Sequence, residues 1–133
     1  MNLTDKLKFN EKGLIPAVIQ DDKTGKVLTL CYMNKDAVLK SFEEGRVYVF
    51  RRSKGKLMAK GETSGCIQIV KSVSVDCEYN SLLFKVDQIK AACHEGYFTC
   101  YFREVDKDGN EKVVEKRVFD PKKVYGDSSH NRA

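Results

Sequence analysis

The sequence predicts an α+β fold: a predominantly antiparallel β-sheet with one main helix. Three observations carry this. Short β-branched and aromatic runs alternate with turn compositions such as Asp21-Asp22-Lys23-Thr24-Gly25 and Asp106-Lys107-Asp108-Gly109-Asn110. One stretch, entered through Asn34 and left through Gly45, combines helical apolar spacing with capping residues at both ends. The 133 residues, 41% of them hydrophobic, suffice for a single core, so residues 1–133 are read as one domain.

Residues 1–13 are polar with a weak apolar period and read as a lead-in loop or a short helix. Leu14 to Gln20 and Lys26 to Met33 are β-rich and close a hairpin around residues 21–25. In the helix, Asn34 is the N-cap, Asp36 places a carboxylate in the first turn, and Ala37, Val38, Ser41 and Phe42 recur at helical spacing before Gly45. Arg46 to Arg52 and Leu57 to Lys60 predict a second hairpin about Ser53-Lys54-Gly55-Lys56, followed by a small-residue loop at residues 61–65. From Ile67 to Asp76, apolar Ile67, Ile69, Val73 and Val75 alternate with Gln68, Lys71, Ser72 and Ser74, with a slip near Val70 that reads as a bulge. Ser81 to Ile89 and Tyr97 to Val105 read as further strands, and the turn at residues 106–110 leads into Glu111 to Phe119. Asp120-Pro121 ends regular pairing, which bounds a core of about residues 14–125 and leaves 127–133 as a mobile tail.

Bulk composition narrows the function classes. Apolar runs such as Leu14 to Ile19 are too short to cross a bilayer, and Met1 to Lys8 shows no signal-peptide core, so a cytoplasmic protein is expected. Five cysteines leave one unpaired in any complete disulfide scheme, which favours reduced thiols. The net charge of +5 comes from 24 basic and 19 acidic residues interspersed along the chain. That mixture suits small anions or an ordinary solvated surface, and it lacks the aromatic-basic interleaving of a nucleic-acid platform.

Chemistry concentrates between Asp76 and Cys100. The spacing Cys77-x15-Cys93-x6-Cys100 contains no CxxC pair. Three thiolates without an obvious fourth ligand describe an open zinc site, which activates water by bringing its pKa to about 7. The competing reading is that each cysteine is a buried core residue, and for Cys31, on an apolar strand, that reading is preferred. His94 is a ligand, a general base or a surface histidine. If Asp76 to Asn80 runs extended, Asp76, Glu78 and Asn80 share one side and offer three oxygens to Mg²⁺, while Cys77 points to the other. The alternative is a polar strand end entering a turn. Arg51, Arg52, Ser53 and Lys60, with Thr63, Ser64 and Gly65, mix guanidinium, ammonium, hydroxyl and backbone N–H groups suited to phosphate.

Together these residues resemble the phosphoribosyl-AMP cyclohydrolase family of histidine biosynthesis. The likeness runs from about Leu14 to Tyr125. It rests on Leu14 to Asp21, Tyr32-Met33-Asn34, Arg52-Ser53, Lys60-Gly61-Glu62-Thr63-Ser64-Gly65, Asp76-Cys77, Ala92-Cys93-His94-Glu95-Gly96 and Cys100-Tyr101-Phe102-Arg103. The resemblance implies an intertwined homodimer whose zinc is shared, Cys77 coming from one subunit and Cys93 and Cys100 from the other. It implies magnesium at Asp76, Glu78 and Asn80, and hydrolytic opening of the adenine ring of phosphoribosyl-AMP between N1 and C6. His94 or Glu62 then moves protons while the basic segments hold the phosphates. The sequence departs from the family pattern at Glu78 and Asn80, where two Asp are usual, at Cys66, where His is usual, and at Phe50, where Trp is usual. The alternative these departures raise is a non-catalytic, zinc-containing nucleotide-binding homologue.

Overall fold

A computed structural model describes residues 2–51, 56–61 and 65–125 of the chain. One of the two central strands of the main sheet is β1 (Ile15–Asp21). Its side chains alternate between buried and half-buried without interruption, as a strand between two layers must. The hairpin partner β2 (Val27–Met33) lies antiparallel to it, as expected. On its other side β1 meets β6 (Leu82–Gln88) in parallel, and β5 (Gln68–Val75) closes the sheet antiparallel to β6, giving the order β2-β1-β6-β5. The parallel pair was not anticipated. Hairpin signals are local, whereas a parallel neighbour is reached only through a long crossover, here the 60 residues and more that separate Asp21 from Leu82.

That crossover carries α2 (Lys35–Glu44) and the antiparallel pair β3 (Tyr48–Arg51) and β4 (Lys56–Ala59). The Asn34 side chain accepts the Ala37 amide at 2.8 Å, and Gly45 ends the helix at φ 71° with its N–H donated to Ser41 O. Both caps fall where the sequence placed them. Buried Ser41 donates to Ala37 O at 2.7 Å and accepts from Tyr48 N at 2.9 Å, tying the helix to β3. The core forms between α2 and the inner sheet face, with Ile15, Ala17, Ile19, Val38, Phe84 and Val86 among its members. The short helix α1 (Asn2–Lys6) contacts α2, a second short helix, α3, spans Pro121–Tyr125, and β7 (Arg103–Val105) and β8 (Glu111–Val113) form a separate hairpin.

Three strand expectations are corrected. The bulge exists, between Val70 and Ser72, but it inverts the face of what precedes it. Val73 and Val75 point inward and Ile69 is exposed, while Gln68 is fully buried and donates to Gln88 Oε1 at 2.8 Å. An extra residue in one strand reverses its side-chain parity, so the two apolar pairs could not share a face. Tyr97 to Val105 is strand only over its last three residues, and Glu111 to Phe119 only over its first three. The Pro121 that ends pairing begins α3, a position where its missing N–H leaves no helical bond unmade. The expected tail, 127–133, lies outside the described residues, and among those described no helix is long and apolar enough to cross a membrane.

The turn between β1 and β2 is held by Asp21, which is 3% exposed. Its carboxylate accepts Thr24 Oγ1 at 2.7 Å, Thr24 N at 2.9 Å and Gln88 N at 3.4 Å. Burial alone raises its pKa, but the Thr24 and Gln88 donors and nearby Lys23 outweigh it and hold the carboxyl below its ordinary 3.8. A folded pKa below the unfolded one stabilises the fold above pH 3.8, a contribution lost as pH falls through the folded value. Asp21→Ala is expected to cost about 2 kcal/mol by leaving buried donors unmet. Urea titrations at pH 7 and pH 3 should show the variant losing less stability on acidification than the parent.

Candidate active site

After β6 the chain runs through Ala91 to Phe102 without a strand. It is nonetheless tightly wound. Ala92 N donates to Phe98 O, Cys93 N to Tyr97 O and Gly96 N to Cys93 O, all within 3.1 Å. Gly96 has φ 93° and faces Phe119 so closely that a Cβ would overlap the Phe119 carbonyl oxygen. Within the loop, Tyr97 stacks on Phe102 at 3.8 Å, with Arg103 over the Phe102 ring and Arg117 over the Tyr97 ring. Arg117 Nε also donates to Glu95 O at 3.0 Å. The loop's far end is sewn to β2, where Cys100 N donates to Leu28 O at 2.7 Å.

The winding brings Cys93 and Cys100 together as a hydrogen-bonded thiol pair. The Cys93 thiol donates to Cys100 and draws that sulfur toward thiolate against the opposing effect of burial, assisted by the Thr29 hydroxyl and the Lys60 ammonium. Cys93 moves the other way, because it donates its proton to Cys100 and is only 4% exposed. Glu95 stands close enough to disfavour a second negative charge, and its amide donates to Cys93 Sγ at 3.4 Å. Two adjacent soft donors, one already inclined to ionise, form a donor set that fits half of a zinc site.

Cys77 lies elsewhere and is exposed. Among the described residues of one chain, no three Cys, His, Asp or Glu converge on a common point suited to a metal. The segment around it is not extended, which corrects the alternation argument. Asp76 Oδ1 accepts the amides of Asn80 and Ser81 at 2.9 and 3.0 Å, and Tyr79 takes φ 58°, so the chain turns back on itself. Burial raises the Asp76 pKa, but the Ser81, Asn80 and Glu78 donors prevail and lower it. Asn80 turns its amide nitrogen to Glu78 Oε2 at 3.4 Å, so these two side chains stay neighbours through the turn.

Of the phosphate-binding candidates, Lys60 is near Cys100, its carbonyl accepting Arg46 Nη2 at 3.2 Å and its amide donating to Val47 O. Gly65 N donates to Gly61 O at 2.8 Å. Arg52, Ser53, Glu62, Thr63 and Ser64 lie outside the described residues, as does the side chain of Arg51. His94 is half-buried, its Nε2 enclosed by protein. Sequence reasoning gave no role to Thr29, Thr99, Glu95 or Lys90. The last has φ 61° and extends its ammonium to 3.4 Å from where a Gly65 Cβ would lie. A single lysine or threonine carries no pattern by itself, and each acquires its place through contacts with distant chain.

Fold and site together define a small α+β protein carrying a buried thiol pair, with Lys60 near one of its sulfurs. The family model for phosphoribosyl-AMP cyclohydrolase matches residues 29–102. Phosphoribosyl-AMP cyclohydrolases of Desulforapulum autotrophicum and Pelotomaculum thermopropionicum are 50% and 48% identical, the matches covering 90% and 92% of this chain and 97% and 95% of theirs. The histidine biosynthesis bifunctional protein HisIE of Thermoanaerobacter pseudethanolicus is 49% identical over 93% of this chain, which spans 57% of that protein's length. The chain belongs to the phosphoribosyl-AMP cyclohydrolase family.

Proposed function

We propose that the chain is a single-domain, zinc-dependent hydrolase that opens the adenine ring of phosphoribosyl-AMP between N1 and C6 in histidine biosynthesis. The observation that carries this reading is the Cys93–Cys100 thiol pair in a chain about half identical, over nearly its whole length, to cyclohydrolases. Zinc held by Cys77, Cys93 and Cys100 supplies the Lewis acidity that makes water nucleophilic at neutral pH. Hydrolysis at C6 leaves a carboxamide there and an N–H at N1, so both protons must leave the attacking water's oxygen, one reaching N1 and the other the exocyclic nitrogen on C6. His94 and Glu62 are assigned those transfers. Lys60, with Arg51, Arg52, Ser53, Thr63, Ser64 and Gly65, holds the substrate's phosphates. Asp76, Glu78 and Asn80 offer oxygens to Mg²⁺, a weaker set than three carboxylates because Asn80 is neutral.

The active unit in this reading is a homodimer with zinc shared between subunits. Two features support it: Cys77 stands apart from the thiol pair within one chain, and the outer sheet face exposes Val27, Leu30 and Tyr32 by more than two fifths each. Beside them a cleft of about 470 Å³, lined by Val18, Leu83, Ser74 and Asp76, continues that face toward the Asp76 turn. The test is ring opening of phosphoribosyl-AMP, followed by near-ultraviolet absorbance, with and without a chelator. Turnover that stops on chelation and returns with zinc is expected, and zinc-loaded protein without turnover would sink the catalytic reading. That second result would favour the non-catalytic nucleotide-binding homologue, which Cys66 and Asn80 motivate.

A further inference from the structure

Cys100 sits in a segment with no strand ladder on either side, yet a metal ligand must hold its sulfur within a fraction of an ångström. What holds it is the free edge of β2. Because β2 ends the sheet order, its outward carbonyls are open to partners, and the loop takes two of them. Cys100 N donates to Leu28 O at 2.7 Å, and the Thr99 hydroxyl donates to Val27 O at 2.7 Å while lying 3.3 Å from Leu28 O. The same hydroxyl accepts Tyr101 N at 3.0 Å. Thr99 is 3% exposed, so a single buried hydroxyl spans the backbone on both sides of Cys100. Thr29, 9% exposed on the inner face of β2, places its hydroxyl near enough to the Cys100 sulfur to favour its thiolate.

We infer that Thr99 and Thr29 are positioning residues for Cys100, a bracket of two buried hydroxyls in which Thr99 locks the backbone and Thr29 orients the sulfur toward Cys93. The inference rests on the reading of Cys100 as a metal ligand. It extends that reading to residues that never touch the metal but decide how well a thiolate meets it. Threonine suits both tasks, since its stiff χ1 holds the hydroxyl in one direction where a serine hydroxyl rotates more freely.

The test uses the full chain, Co²⁺ as the probe, and the isosteric variants Thr99→Val and Thr29→Val with Thr99→Ser and Thr29→Ser as rescues. Cobalt affinity is measured by competition with a chromophoric chelator, the thiolate-to-cobalt charge-transfer band is recorded, and circular dichroism verifies folding. Each valine variant should bind Co²⁺ about 10- to 100-fold more weakly, the usual effect of losing an outer-shell partner, with a displaced or weakened charge-transfer band. Serine should restore both. Unchanged affinity and spectrum in a folded valine variant overturn the bracket while leaving the metal reading intact. Parent protein that binds no cobalt overturns both. Should Thr99→Val fail to fold, Thr29→Val, which puts a strand-favouring residue into a strand, decides alone.

Discussion

Cys77→Ser and Cys100→Ala should each be inactive, and mixing the two dead proteins should restore activity. In the proposed zinc site either substitution removes one of three thiolates. Structural zinc sites contribute about 10–16 kcal/mol in total, so losing one thiolate costs zinc on the order of 4 kcal/mol, roughly a thousandfold in affinity. In a dimer with shared sites, a mixed pair of subunits regains one whole site. It takes Cys77 from the Cys100→Ala subunit and Cys93 with Cys100 from the Cys77→Ser subunit, while the second site is doubly damaged. Random reassortment makes half the dimers mixed, so activity should recover to about a quarter of the parent value. Zinc content should follow the same proportion. The experiment requires dissociation and reassociation of subunits, checked by mixing differently tagged parent protein. A mixture that stays dead after proven exchange places all three cysteines in one chain or removes Cys77 from the site. The fold argues against the first outcome, because Cys77 is exposed in the Asp76–Asn80 turn and does not converge with Cys93 and Cys100.

What could be read in advance divides by the range of the interactions involved. The β1–β2 hairpin, both caps of α2, the bulge near Val70 and the turn before β8 each depend on a few consecutive residues, and each is where the sequence places it. The parallel meeting of β1 and β6 depends on chain more than 60 residues apart and left no local trace. Tyr97-Phe98-Thr99-Cys100-Tyr101-Phe102 has the composition of a strand. It is not one because Gly96 enters at positive φ, Tyr97 turns its ring onto Phe102, and β2 receives the segment through isolated bonds instead of a ladder. The candidate site followed the same division. The three cysteines and the basic glycine-containing loop were visible as residue types at telling spacings. Their supports, Thr29, Thr99 and Glu95, were not, since each acts through a partner that only the fold supplies.

Gly96→Ala should be among the most damaging conservative changes in the described chain, and Gly109→Ala shows why. Both glycines have nearly the same backbone, φ 93° and φ 87°, so both variants carry the cost of placing a side chain in the left-handed region, about 1–2 kcal/mol. Around Gly109, at the tip of the β7–β8 hairpin, nothing lies within 4 Å of the added Cβ. At Gly96 the added carbon overlaps the Phe119 carbonyl oxygen, with Phe119 C at 3.2 Å and Pro121 Cδ at 3.5 Å behind it. None of these can yield as a flexible side chain would. Relieving the overlap means moving the Gly96 carbonyl away from the amides of Val118 and Phe119, which donate to it at 2.6 and 3.4 Å. It also pulls on the Gly96 N–H bond to Cys93 O, one residue from His94. The expected loss is about 4 kcal/mol, backbone strain plus crowding, against about 1–2 kcal/mol for Gly109→Ala. Thermal midpoints should therefore fall by more than about 10 °C for the first and by about half that or less for the second. Because the displaced loop carries Cys93, Gly96→Ala should also bind zinc poorly at temperatures where it remains folded, whereas Gly109→Ala should bind it like the parent. Equal midpoints for the two variants would show that the 117–121 segment does not brace the loop and that the left-handed conformation alone sets the cost.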